Sequence, residues 1–178
     1  YFAPFLKFSG FDALEIQGKA AEDVVIFIDG ATGKVTIEPY AFEAEDSHLI
    51  GNILTAKYGG DEKGKRGVAV LSTGQAAEHT RIAAINSSWY DVRRKEARLK
   101  QAGRGGAGRV FRDKKIAAIV CRFSDTGGDK NGVADMTLVR KAGYRINKEI
   151  TKLDDSQNQM RKIGTANGPD TLESIRQN

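Results

Sequence analysis

The sequence is poor in side chains that cross-link a chain or bind metals. Its 178 residues include one cysteine, Cys121, and two histidines, His48 and His79. A single cysteine excludes an intrachain disulfide and a four-cysteine zinc site. Neither histidine has a second His or Cys at metal-ligand spacing, so we predict no metal site. We expect Cys121 to be a small buried hydrophobe, in preference to a cofactor attachment point or an interchain disulfide.

Long apolar runs are also absent. The longest, residues 24–28 and 116–121, are far too short to cross a bilayer, so we predict no membrane span. The sequence begins with Tyr1 and not with methionine. Either a leader has been removed or earlier residues lie outside this sequence. A cleaved leader would direct the protein to an organelle or an exported space, and the localisation is otherwise open.

Two short stretches resemble ligand-binding motifs but lack the surrounding residues or elements that such sites require. Gly103, Gly105 and Gly108 have the spacing G-x-G-x-x-G. We predict a helix before them and a strand after them, the reverse of a dinucleotide-binding turn, and therefore predict no cofactor. Residues 125–132 resemble a calcium loop, but Leu138 stands where that loop needs a bidentate carboxylate.

No catalytic signature is visible in the sequence. A nucleophile elbow is absent, and no carboxylates or histidines form a recognisable acid–base group. A Ser-His-acid arrangement can still form from residues that are distant in the chain. An enzyme with unidentified acid–base residues is therefore the third of three functional hypotheses.

The charge is distributed unevenly along the chain. Residues 1–50 carry three basic and nine acidic side chains, a net charge of −6. Residues 51–122 carry sixteen basic and six acidic side chains, a net charge of +10, and residues 123–178 carry +1. This asymmetry favours an acidic partner, either an acidic protein surface or a nucleic acid, over a merely solvated face.

The N-terminus is rich in phenylalanine. Four of the eight phenylalanines recur at every third position within the first eleven residues. Pro4 and Gly10 argue against a regular α-helix there, so we predict an extended or turn-rich segment. Its rings either cover the protein's own core or dock into a partner, because aromatic side chains are common anchors of interfaces.

The predicted fold class is α+β, with a mainly antiparallel sheet of about five strands and two or three helices, one of them long and basic. Residues 24–28 and 34–38 form a hairpin around a glycine-rich turn. Further strands are predicted at 68–71, 116–123 and 133–139, and helices at 41–58, 75–101 and 146–163. The expected divisions are a docking segment at 1–20, a globular domain at 21–145, and a C-terminal helix and polar tail at 146–178.

Two of the predicted helices carry narrow apolar stripes, which suit helix–helix docking. The leading hypothesis is therefore a non-catalytic structural or adaptor subunit of a larger assembly, which docks acidic protein surfaces. The alternative is an RNA- or DNA-binding protein that uses the basic helix and the arginine-glycine stretch 103–109. The candidate contact residues, chosen by chemistry and clustering, are Phe2, Phe5, Phe8, Trp89, Arg93, Arg94, Arg98, Arg104 and Arg109.

Overall fold

A computed structural model describes residues 1–42, 46–123, 132–152 and 162–164. The chain divides into two compact units, Tyr1–Lys130 and Asn131–Asn178. The first unit contains the sheet, and the described part of the second is mainly one helix. None of the described helices combines the length and the apolar character that a membrane span requires.

The first unit is built on one mixed six-stranded sheet. The strand order is β2-β1-β6-β3-β4-β5. Among the described strands, β1 and β6 pair in parallel and the other four pairings are antiparallel. The predicted α+β class and mainly antiparallel sheet are confirmed, with one strand more than expected. The strands are β1 (Val24–Asp29), β2 (Lys34–Pro39), β3 (Val68–Ser72), β4 (Ile85–Asp91), β5 (Glu96–Ala102) and β6 (Ile116–Arg122).

Five α-helices lie in the described residues, against two or three predicted. A 3-10 helix, Gln75–His79, also follows β3. The first unit holds four of the α-helices, and α5 lies in the second. They are α1 (Phe2–Phe8), α2 (Ser47–Gly59), α3 (Glu62–Lys65), α4 (Ala107–Asp113) and α5 (Met136–Thr151).

Both faces of the central strands are buried. On one face, Phe2 and Leu6 of α1 pack against alternate residues of β1 and β6, including Ile28 and Ile119. On the other face, Ile50, Leu54 and Tyr58 of α2 pack against the intervening residues, including Val25 and Val120. A strand covered on both sides needs apolar residues at every position, which explains the continuous apolar runs. Cys121 lies fully buried in this core, as predicted.

The predicted long helix 75–101 is wrong, because this stretch contains the 3-10 helix and the β4–β5 hairpin. Burial alternates along β4, where Asn86, Ser88 and Tyr90 face the core. Two of these inward residues are polar, so the pattern of apolar residues did not show the alternation of a half-buried strand. The Asp91 carboxylate accepts hydrogen bonds from the amides of Arg93 (2.9 Å) and Arg94 (3.3 Å), which shapes the hairpin turn.

The N-terminal segment is a helix, contrary to the predicted extended conformation. Pro4 lies in the first turn of α1, where its missing N–H costs no helical hydrogen bond. Gly10 lies just after the helix and adopts a φ of +94°. Both residues therefore stand where a short helix tolerates them.

The described C-terminal residues form a helix where a strand was predicted. The predicted strand 133–139 is wrong, since α5 begins at Met136 and the Asp135 carboxylate caps it by accepting from the Leu138 amide at 2.9 Å. This helix contains the first part of the predicted helix 146–163. Most of the rest of that prediction, most of the loop 125–132 and the polar tail lie outside the described residues.

Replacement of Phe2 tests whether the N-terminal rings belong to the core. Phe2 is 9% exposed, so Phe2→Ala is expected to lower the free energy of unfolding by about 3 kcal/mol or slightly more. Ile37→Ala, at a side chain that is 68% exposed, serves as the control and should change it by less than about 0.5 kcal/mol. Urea denaturation measures both. Equal, small effects would show that α1 does not contribute to the core.

Candidate functional site: a glycine turn flanked by arginines

The glycine-rich stretch 103–108 connects strand β5 to helix α4. The predicted context, helix before and strand after, is therefore wrong. The structure still does not form a dinucleotide-binding βαβ unit. Strand β5 runs parallel to β3 and hence antiparallel to β6, and β3 and β4 separate it from β6 in the sheet. A dinucleotide fold requires a parallel crossover here.

The backbone of this turn is left-handed at two successive residues. Gly105 has a φ of +76° and Gly106 has a φ of +67°, which glycine adopts without steric cost. Within the described part of the chain, the amides of these two residues have no hydrogen-bond acceptor. Successive backbone amides in a turn can form a concavity that attracts anions.

The turn is pressed against residues 81–84. The Gly108 amide donates to the Ala83 carbonyl at 2.9 Å. A Cβ atom on Gly108 would lie 2.8 Å from that same oxygen, and one on Gly106 would overlap the Arg81 carbonyl oxygen. Both glycines are therefore needed for close contact between backbones, a use of glycine that the spacing alone does not reveal.

Two arginines of α4 fix the turn to the 3-10 helix. Arg109 donates to the carbonyl of Glu78, and Arg112 donates to the Glu78 carboxylate. The Arg112 side chain is 1% exposed and also lies 3.0 Å from the Asp23 carboxylate. Its guanidinium stacks over the Phe42 ring at 4.8 Å. A buried cation with two carboxylates and an aromatic face holds three separate segments together.

The surface of the site is positively charged. Hydrogen bonding from Arg112 lowers the pKa of Glu78, so this carboxyl is ionised. Arg112 is shared between Glu78 and Asp23, so these three side chains together keep one negative charge, which the other arginines of the site exceed. Arg104 and Arg81 are exposed, and in the described ranges neither side chain has a carboxylate partner. Arg104 directly precedes Gly105 in the chain and the Arg81 backbone contacts the turn at Gly106, so two exposed arginines lie next to the turn.

An open hollow adjoins the turn. It has a volume of about 530 Å³, and Ala83 and Ala84 form part of its wall. The 3-10 helix, the start of α2 with its capping carboxylate Asp46, and one residue each of β4 and β5 complete the wall. Asn86 of β4 donates there to the Ser47 hydroxyl. A largely apolar hollow beside a cationic turn suits a ligand that is partly anionic and partly apolar. Turn and hollow together are called the glycine-turn site.

The described residues do not form a metal site from their own side chains. They contain no group of three or more His, Cys, Asp or Glu residues that could hold a metal ion. Cys121 is fully buried next to the Ser9 hydroxyl, at 3.3 Å, and burial raises the pKa of its thiol. A neutral, enclosed thiol is a poor metal ligand.

The basic candidate residues do not share one surface. Arg93 and Arg94 lie in the β4–β5 turn, where Arg94 pairs with Asp91 at 2.7 Å. Arg98 lies within β5 and approaches Glu96 at 3.4 Å. The glycine turn, with Arg104 and Arg109, begins at the opposite end of β5. The hairpin thus separates Arg93 and Arg94 from Arg98, which the predicted helix 75–101 had placed together.

The aromatic candidate residues lie close to one another, within the first unit itself. Phe5 and Phe8 pack against Phe123, with ring centroids 6.0 and 5.2 Å apart. Trp89 stacks on Tyr1 at 5.3 Å. No partner is present to test their docking role, which stays a prediction; in this structure the rings contact each other.

Sequence reasoning missed three contributors to the site. Arg81 and Glu78 were assigned to a long helix, and Arg112 was not singled out. The sequence feature that could have located the site was the close spacing of the glycines. Such spacing occurs where two backbones are in close contact as well as in nucleotide-binding turns. The position of Glu78 beside α4 depends on contacts across 34 residues of sequence, which no local pattern reports.

Comparison with known proteins identifies the class. Residues 1–123 match the family described as aldehyde ferredoxin oxidoreductase, N-terminal domain. The tungsten-containing aldehyde ferredoxin oxidoreductase of Pyrococcus horikoshii is 30% identical over 156 residues, which are 84% of this chain and 22% of that protein. The enzyme of the same name from Pyrococcus furiosus is 29% identical over 149 residues, 83% of this chain and 22% of its own length.

A solved structure is also similar. A chain of the active-site complex BamBC of benzoyl coenzyme A reductase, in complex with 1,5-dienoyl-CoA, superposes with a TM-score of 0.53 at 28% identity. The similarity covers 70% of this chain and 17% of that one. These likenesses define the class as an oxidoreductase domain. The chain belongs to the aldehyde ferredoxin oxidoreductase family, and it spans about a fifth of the length of its tungsten-containing relatives.

This membership corrects the functional prediction. The non-catalytic adaptor hypothesis is wrong, and so is the RNA- or DNA-binding alternative, because the matching family and relatives are oxidoreductases. The +10 charge of residues 51–122 misled the prediction. The structure distributes that charge over the hairpin, the loop before β3 and the glycine-turn site.

Substitution of the turn glycines should separate close packing from mere flexibility. Gly106→Ala is expected to destabilise the domain by more than about 1 kcal/mol, because the new Cβ would overlap the Arg81 carbonyl and the φ of +67° disfavours alanine. Gly103→Ala is the matched control, since its Cβ would meet nothing within 4 Å. Thermal denaturation compares them, and equal melting temperatures would contradict the described packing.

Disruption of the buried arginine should be costly. Arg112→Gln is expected to lower the free energy of unfolding by about 3–5 kcal/mol, because it leaves Asp23 and Glu78 without their cation. Because folding lowers the pKa of Glu78, the ion pair stabilises the fold fully at pH values above the ordinary carboxyl pKa. This stabilisation is lost as the pH falls through the lowered pKa of the folded state.

The same pair predicts a pH dependence. Urea denaturation at pH 7 and at pH 3 should show a smaller loss of stability in acid for Glu78→Gln than for the parent chain. Glu22→Gln, at an exposed residue, should retain the parent's pH dependence. An unchanged pH dependence in Glu78→Gln would show that its ion pair does not contribute.

Proposed function

We propose that this chain is part of a tungsten-dependent enzyme that oxidises an aldehyde and transfers the electrons to ferredoxin. The observation that carries the proposal is the family match over residues 1–123. The names of the relatives state tungsten, an aldehyde and ferredoxin. Since the chain spans 22% of those relatives, the complete reaction needs the other regions that they possess.

Directly coordinated tungsten does not fit the described residues of this chain. They offer no cluster of metal-ligating side chains, and the single cysteine is enclosed in the core. We therefore derive no step through the metal here. In this proposal the metal's ligands come from outside the described residues, and this domain acts through non-covalent binding.

The domain's own role, on this proposal, is to hold an anionic group at the glycine-turn site. The free amides of Gly105 and Gly106 and the guanidinium groups of Arg81 and Arg104 would provide the binding energy. The Arg112–Glu78 pair positions the turn and is not itself available to a ligand. The adjoining hollow would accept the less polar part of the same molecule.

A second candidate reaction is reduction of an acyl-CoA substrate. The similarity to the benzoyl coenzyme A reductase complex, at 28% identity, favours it. The aldehyde-oxidising relatives match over 84% of the chain against 70% for that complex, so aldehyde oxidation is the first proposal. The predicted docking of acidic protein surfaces is untested, and ferredoxin is the partner that the relatives' names indicate.

The function is testable on the native gene product, purified without oxygen from cells supplied with tungstate. We expect stoichiometric tungsten by elemental analysis and aldehyde-dependent reduction of ferredoxin. Arg104→Gln should raise the dissociation constant of the anionic group by about tenfold, because it removes one charge-assisted contact. Lys34→Gln, an exposed residue of β2, is the control and should leave binding unchanged.

The possible outcomes separate the two reactions. Activity with benzoyl-CoA and not with aldehydes would favour the second candidate. A protein that lacks tungsten, and that neither oxidises aldehydes nor reduces benzoyl-CoA, would refute the proposal. If Arg104→Gln binds the anionic group with the affinity of the parent chain, the assignment of the glycine-turn site is wrong while the enzymatic class stands.

A further inference from the structure

A second cavity lies at the opposite end of the sheet from the glycine-turn site. It has a volume of about 440 Å³, within the range of small-molecule sites. Its walls come from the chain just after β1, from the end of β6 and from the loop that contains α3. It thus opens at the carboxyl ends of β1 and β6, the parallel pair of the sheet, where ligands commonly bind in α/β folds.

Three glycines of the loop 59–67 build one wall by close packing. A Cβ on Gly64 would overlap the Gly59 carbonyl oxygen, and a Cβ on Gly67 would overlap the Phe123 carbonyl oxygen. The Gly67 carbonyl also accepts from the Phe123 amide at 2.7 Å. The loop is therefore held against the end of β6, and its side chains have a defined relation to the cavity.

The cavity is lined by three cations and one carboxylate. Lys63 and Arg66 are basic residues of the loop, and in the part of the chain that the structure describes neither has a carboxylate partner. Arg122 pairs with Asp29 at 2.9 Å, and its other terminal nitrogen has a weak 3.4 Å contact with the Tyr58 carbonyl.

The carboxylates within the described residues do not cancel these charges. Asp61 lines the cavity, but its carboxylate already accepts the Gly64 amide at 2.7 Å. Asp29 neutralises Arg122 from outside the lining. The charges of Lys63 and Arg66 therefore exceed that of Asp61 by one unit, and Arg122 retains an N–H group for a ligand.

We propose that this cavity binds the phosphate group of a small molecule. Lys63 and Arg66 supply the uncompensated charge, and the Arg122 guanidinium supplies a donor held in place by Asp29. The volume of 440 Å³ admits more than the phosphate group itself, so the ligand is a phosphorylated metabolite with a further organic part. This site is separate from the glycine-turn site, and the proposal does not rest on the proposed enzymatic reaction.

Calorimetric titration of the full chain with inorganic phosphate, pyrophosphate and ADP tests the site. The double variant Lys63→Gln/Arg66→Gln is expected to weaken binding of the best probe by about a hundredfold, or tenfold for each lost cation. The control is Lys34→Gln/Arg93→Gln, which removes the same charge from exposed residues outside the cavity. The affinity of this control variant for the same probe should stay within about twofold of that of the parent chain. Equal losses in the two double variants would show a diffuse charge effect and overturn the proposal.

A blocking variant tests the cavity without changing its charge. Ala31 is exposed at the cavity wall, so Ala31→Trp should abolish binding of ADP, whereas Ala13→Trp, at an exposed position outside the cavity lining, should not. Amide chemical shifts locate the probe. Shifts at Gly64 and Gly67 support the proposal, whereas shifts confined to Gly105 and Gly106 would assign all binding to the glycine-turn site. Binding of ADP to Ala31→Trp with full affinity, or no binding of any probe to the parent chain, would overturn it.

Discussion

The burial of strand β6 on both faces determines the rest of this domain. Its residues Ala117, Ala118, Val120 and Cys121 are fully inaccessible to solvent, so helices must cover the sheet on both sides. Strand β6 also joins the parallel strand β1 to the antiparallel strands β3, β4 and β5. Without this strand the two halves of the sheet have no common edge. Loss of its apolar character would therefore remove the fold and not merely one contact.

The same strand places the two candidate sites. Helix α4 leads into β6 and brings Arg109 and Arg112 against the 3-10 helix, which fixes the glycine turn. At the other end, Arg122 and Phe123 follow directly and form part of the second cavity. Each site is thus built from irregular segments that a rigid, buried strand anchors. Such an arrangement combines a stable core with exposed backbone groups for binding.

Sequence patterns predicted those elements whose apolar residues report the local geometry. The hairpin of β1 and β2, strand β3, strand β6 and most of helix α2 follow from runs of apolar residues with clear turn signals. The β4–β5 hairpin did not, because Ser88 and Asn86 occupy inward positions while Trp89 and Val92 mimic helical spacing. A tertiary contact compensates for the burial of Asn86, which donates to the Ser47 hydroxyl of helix α2.

That one error carried over into the functional prediction. A helix in place of the hairpin gathered Arg93, Arg94 and Arg98 into a basic surface and reversed the apparent context of the glycines. In the observed hairpin, Arg93 and Arg94 lie in the turn and Arg98 lies within β5. The glycines lie between a strand and a helix. The remaining information, the contact of Glu78 with Arg112 and of the turn with residues 81–84, depends on the tertiary fold. Neither composition nor spacing contains it, so the glycine-turn site becomes arguable only when the chain is seen folded.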